Sequence, residues 1–139
     1  MNIVLDFDGT CVSHEFPSIG KDIGAIPVLK ELVNNGHNLI LFTMRSDRLE
    51  NNDTGDDNID DITGNFLTDA VNWFNENDIP LYGIQTNPTQ KNWTSSPKAY
   101  GDIYIDDAAL GCPLVYEHNV RPYVDWIKVR EILKLMGLI

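Results

Sequence analysis

The chain opens with an apolar run, Ile3-Val4-Leu5, that ends in two carboxylates one residue apart within Asp6-Phe7-Asp8-Gly9-Thr10. A continuous apolar run marks a strand buried on both faces of a parallel sheet, and ligand sites in such sheets lie beyond the strands' carboxyl ends. Asp6 stands at that end. Gly9 has no Cβ, so the backbone can turn sharply there and come close to a ligand. Two neighbouring carboxylates can hold a divalent cation or divide nucleophile and acid/base roles between them. The same five residues also suit a plain strand cap followed by a turn.

Composition narrows the possibilities. At 139 residues the chain is read as one domain, 1–139, long enough to bury a core. Hydrophobic residues at 42% and charged residues at 22% fit a globular protein. A net charge of -11 disfavours general attachment to nucleic acid. No run reaches membrane-spanning length, and no basic region precedes the first apolar run, so neither a signal peptide nor an anchor is expected. Cys11 and Cys112 are far apart and form no CxxC pair, which suits reduced thiols and a cytoplasmic location.

Strands and helices alternate along the rest of the chain. Ile26, Leu29, Leu32 and Val33 have helical spacing between about Ala25 and Asn35, with Pro27 in the first turn and Gly36 at the stop. Asn38 to Phe42 reads as a second strand ending at Thr43. The loop section Glu50 to Asp61 holds six acids and no basic residue. A second helix is expected after a Thr63 cap, with Phe66, Leu67, Ala70, Val71 and Phe74 as its apolar stripe. Leu81 to Ile84, Ile103 to Ile105 and Leu114 to Tyr116 read as further strands, and the last helix as running from Pro122 to Met136. Such alternation implies right-handed crossovers and a parallel sheet covered on both faces.

Three further signals fall where the same sheet edge would gather them beside Asp6: Thr43 after the second strand, Lys98 before the fourth, and Asp106-Asp107 at its end. In this order the residues resemble the motifs of the haloacid dehalogenase (HAD) superfamily, most of whose members are phosphatases. DxDGT stands as Asp6 to Thr10, the strand-end Thr as Leu39 to Thr43, the lysine as Lys98, and the acidic pair as Asp106-Asp107. The resemblance implies a three-layer α/β/α Rossmann-like fold with a mainly parallel sheet of about five strands in the order 5-4-1-2-3.

The resemblance also implies roles. Asp6 would be the nucleophile that forms an aspartyl phosphate, and Asp8 the acid/base for leaving group and water. Thr43 and Lys98 would contact phosphoryl oxygens, with Gly9 and Thr10 beside the substrate. Mg2+ is the implied cofactor, held by Asp6, the backbone carbonyl of Asp8, and Asp106, with Asp107 behind them orienting Lys98 or a bound water. Either acid of the Asp106-Asp107 pair could touch the metal. Gly101-Asp102 with Asp106 spells a GDxxxD variant, but Asp102 precedes the strand rather than following it. Arg45 could bind a second anionic group of the substrate or balance the acidic loop.

Only Cys11 to Gly20 separate the first motif from the first helix, enough for a flap but not a cap domain. The expected activity is Mg2+-dependent hydrolysis of a phosphomonoester, on a small molecule or on a phosphate exposed on a larger substrate. Trp93 and Arg45 suggest a nucleotide-specific alternative, and a phosphate-binding protein with little turnover is a third reading. Residues Asn87 to Pro97 are the expected substrate loop, although Trp93 there also suits a core anchor. His14, His37 and His118 form no zinc pattern.

Overall fold

The computed structural model describes residues 1–48 and 63–139; the acidic stretch Glu50 to Asp61 lies outside the described residues. In chain order the elements are β1 (Asn2–Leu5), α1 (Ala25–Asn34), β2 (Asn38–Leu41), β3 (Asp47–Arg48), β4 (Gly64–Asn65) and α2 (Phe66–Glu76). They continue with β5 (Gly83–Ile84), a 3-10 turn (Gln90–Asn92), β6 (Ile103–Ile105), β7 (Leu114–Glu117), β8 (Val120–Val124) and α3 (Trp126–Leu135).

Four strands form the central parallel sheet in the order β5-β2-β1-β6. Leu5 lies opposite both Leu41 and Ile105, so three strands end in one register. Asp6, Phe42-Thr43 and Asp106-Asp107 therefore leave the sheet along the same edge. Continuity of the ladder extends one step further: Asp6 N donates to Ile105 O and Phe42 N to Leu5 O.

Among the described residues, all three helices lie on one face of the sheet and none covers the other. One core joins Ile3, Leu5, Leu39, Leu41 and Ile105 to the buried residues of all three helices. The other sheet face carries Val4 and Ile40, covered by Ala99 and Phe42 in a much smaller cluster. Crossover handedness explains this. The steps β1 to β2 and β2 to β5 move the same way across the sheet, so α1 and α2 fall on one face. The return from β5 to β6 must cross the opposite face, and that segment holds only the 3-10 turn. Side chains stabilise it instead: buried Gln90 accepts from Asn87 N and Tyr100 N, each at 2.9 Å, and donates to the carbonyls of Ser96 and Lys98.

The C-terminal third also departs from expectation. Leu114–Glu117 is not a fifth strand of the sheet; it pairs antiparallel with Val120–Val124 in a separate two-stranded sheet. Pro122 lies within that second strand rather than starting a helix. A two-stranded ribbon consists only of edges, where a missing N–H is tolerated. The helix starts at Trp126 because Asp125 caps it, its carboxylate accepting from Ile127 N and Lys128 N at 3.1 Å each. Asp125→Ala should cost about 1 kcal/mol and lower the melting temperature by roughly 3 °C. Thermal denaturation of the two proteins measures this, and an unchanged midpoint would rule out the cap as a source of stability.

Thr63 does not cap α2. The N-cap is Asn65, with no side-chain cap bond. Asp47 supplies the acceptors from β3, taking Thr68 N at 2.9 Å and the Thr68 hydroxyl at 2.6 Å. These bonds from Thr68 hold the Asp47 carboxyl below the usual carboxylate range. Sequence proximity favours Thr63, but the antiparallel pairing of β3 with β4 brings Asp47 beside the start of the helix as a better acceptor. Among the described residues, no helix is long and apolar enough to cross a membrane.

Candidate active site

Parallel register brings Asp6, Asp106 and Asp107 together at the sheet edge. One carboxylate oxygen from each lies within 4.8 Å of the others, and all three residues are half-buried. Buried Thr10 ties the group together: its hydroxyl donates to Asp6 Oδ2 at 2.9 Å and accepts from Asp107 N at 3.1 Å. Thr10 is fixed in turn by Trp126, whose indole N–H donates to the Thr10 carbonyl at 2.7 Å inside the core. The expectation that Thr10 touches substrate is therefore replaced by an internal, connecting role.

Crowding of like charges appears in the protonation of Asp6. Burial first, then hydrogen bonding to Asp107 and the charge of Asp106, raise its carboxyl to about 7. A divalent cation is what this donor set fits: three hard oxygen ligands, too close to remain anionic together without opposite charge. Asp106 uses Oδ1 to accept Ala108 N at 2.8 Å, leaving Oδ2 without a donor among the described residues.

Asp8 and Arg45 form a second, separate arrangement. Arg45 is 2% exposed rather than presented to a substrate. Its Nε and Nη2 grip the two Asp8 oxygens at 2.8 Å each. The remaining N–H groups donate to the carbonyls of Ser18 at 2.8 Å and of Pro17 and Phe66 at 3.3 Å. All five guanidinium donors are thus used. The Phe7 and Phe16 rings each lie 5.1 Å from its central carbon. The substrate or acidic-loop role expected of Arg45 gives way to this clamp, which leaves no local sign because its acceptors come from segments far apart in the chain. The Asp8 carboxylate lies outside the acidic group of three.

Thr43 occupies the expected strand end. Its Oγ1 accepts from Arg45 N at 3.1 Å, and among the described residues its hydroxyl proton has no acceptor. Gln85, which the sequence reading passed over, clamps this turn by accepting from Thr43 N at 2.8 Å and donating to Thr43 O at 2.7 Å. Its position just after an apolar strand was the available signal. Cys11 is buried and donates to the Asp6 carbonyl at 3.4 Å; burial, then the charges of Asp6 and Asp8, push its thiol well up, so it is no nucleophile.

Lys98 is the main expectation that the structure does not join to the cluster. It is exposed and lines a hollow of about 410 Å³ with Trp93, Tyr100, Gly101 and Tyr104 on the thinly covered sheet face. Trp93 is 62% exposed, so it is no core anchor either; its ring packs edge-on against Tyr100 at 5.4 Å. With Trp93 in this hollow and Arg45 saturated, neither residue that suggested a nucleotide belongs to the carboxylate group.

Fold and site together define an α/β protein with a carboxylate cluster at the tips of adjacent parallel strands. No family model and no curated protein matches the chain. Among solved structures, it is similar to a conserved protein from Bacteroides thetaiotaomicron, with a TM-score of 0.70 and 29% identity over 98% of this chain and 91% of that one.

Proposed function

We propose that the protein is a Mg2+-dependent phosphomonoesterase of the capless HAD type, with Asp6 as the nucleophile. The observation that carries this reading is the convergence of Asp6, Asp106 and Asp107 within 4.8 Å at one sheet edge, beside Thr43. The four-strand order β5-β2-β1-β6, with β2 and β5 on one side of β1 and β6 on the other, is compatible with the order that the resemblance implies.

Asp6, Asp106 and Asp107 would hold Mg2+, whose chemistry when bound is to neutralise charge between carboxylate and phosphate. In this reading Asp6 attacks phosphorus and Thr10 fixes the attacking carboxylate through Oδ2. The Thr43 hydroxyl, with its proton free, donates to a phosphoryl oxygen. Asp8 takes the proton from the water that hydrolyses the aspartyl phosphate. Both Asp8 oxygens accept from Arg45, so to serve the first half of the reaction Asp8 would carry a proton on an oxygen turned away from Arg45, give it to the departing alkoxide oxygen, and recover it from that water. Lys98, in the hollow with Trp93 and Tyr104, is given no step in this mechanism.

The test is phosphate release from sugar phosphates, nucleotides and phosphopeptides with Mg2+, beside an Asp6→Asn control. Wild type is expected to turn over at least one class, and the control none. Equal rates for the two proteins on every compound would end the proposal.

A further inference from the structure

We infer that His14 is a positioning residue of the acidic cluster, coupling the Cys11 to Gly20 flap to cation affinity; this rests on the Mg2+ reading above. His14 Nε2 lies 2.9 Å from Asp107 Oδ2, and both side chains are 12% exposed. A carboxylate only accepts, so the imidazole donates through Nε2.

The bond decides how Asp107 is presented. With Oδ2 on His14, Oδ1 is turned to the Thr10 hydroxyl at 3.4 Å, while Thr10 itself holds Asp6 at 2.9 Å. Asp107 is thereby held from the flap through Oδ2 and from the first loop through its backbone N–H, which donates to Thr10 Oγ1 at 3.1 Å. Asp106, with a free oxygen, is left as the more direct ligand. Partners behind a ligand fix its orientation, and their loss commonly costs about 10–100-fold in metal affinity.

Gly9 belongs to the same device. Its φ is +81°, and a Cβ built there would overlap the His14 imidazole and stand 2.8 Å from Asp107 Oδ2. The close approach that the glycine permits is therefore made by His14 of the same chain. The flap is held at its other parts too: Arg45 bonds the Pro17 and Ser18 carbonyls, and Ser13 N donates to Lys21 O at 3.0 Å. Pinned at three places, it holds His14 as a fixed wall of the site.

The test compares Mg2+ titrations of wild type, His14→Leu and His14→Gln by calorimetry and by thermal shift. Leucine fills the space over Gly9 without a donor; glutamine restores one. His14→Leu should weaken Mg2+ binding about 10–100-fold, and His14→Gln should recover most of it. In turnover, the Mg2+ concentration for half-maximal rate should rise more than the rate at saturation falls. A purely structural histidine would instead lower the metal-free melting temperature and leave the Mg2+ dissociation constant unchanged, which overturns the inference while the enzyme reading stands. Wild type that binds no Mg2+ overturns both. Should His14→Leu not fold, His14→Asn, which is too short to span the contact, takes its place with the same outcomes.

Discussion

Asp6→Asn is expected to abolish turnover and, without divalent cation, to make the protein more stable above pH 7. On the proposed mechanism the loss of rate should be at least roughly 10³-fold, since asparagine cannot form the aspartyl phosphate. The stability gain follows from the burial of Asp6 first, and then from its crowding by Asp107 and Asp106. In the fold the Asp6 carboxyl is raised from 3.8 to about 7. Between those values the unfolded chain has released a proton that the folded chain retains. Folding stability contributed by Asp6 therefore falls as pH rises through this window, by about 1.4 kcal/mol per pH unit, and is level above it. Asparagine carries no charge, so the variant should lack this slope and exceed wild type by up to about 4 kcal/mol at pH 8. Mg2+ at a hundredfold excess over its dissociation constant should restore wild type by about 2.7 kcal/mol, roughly 8–10 °C in melting temperature, and should help the variant less. Urea titrations at pH 4.5, 6 and 8 with chelator or Mg2+ provide the measurement. A wild type and variant with parallel pH profiles would remove the electrostatic account.

Arg45→Met should be the most damaging single change to the fold outside the hydrophobic core. Removing one partner of a buried ion pair leaves the other charge unneutralised, at a cost of about 3–5 kcal/mol. Here the loss is compounded because the carbonyls of Pro17, Ser18 and Phe66 lose their donors as well. A fall in melting temperature of roughly 10–15 °C is expected. Arg45→Lys should recover less than half of it, because an ammonium cannot fork across both Asp8 oxygens and also reach three carbonyls. Asp8→Asn combined with Arg45→Met should be less harmful than the sum of the single changes, since the pair shares one interaction. If Arg45→Met shifts stability by less than about 1 kcal/mol, the clamp is not what holds the flap.

These two residues show what kind of information each source carries. The sequence determined the strands at Ile3 to Leu5, Leu39 to Leu41 and Ile103 to Ile105, because buried parallel strands need unbroken apolar runs. It also determined which acids end them, and therefore the pairing of Asp6 with Asp106-Asp107, once a common register was assumed. It located α1 almost to the residue, since Gly36 and the apolar spacing are local signals.

Tertiary structure decided everything that depends on partners remote in the chain. Asp47, not Thr63, supplies the side-chain acceptor at the start of α2, and Asp125 rather than Pro122 sets the start of α3, because geometry decides which acceptor reaches the free N–H groups. Arg45 became a buried clamp because five acceptors from three segments converge on it. His14 entered the site because the flap folds its ring over Gly9 onto Asp107, 93 positions away. Lys98 stayed apart because the crossover that carries it spreads over the sheet face. The apolar pattern fixes where strands run and end; which polar groups then meet depends on the paths of the connections, and no local spacing records those.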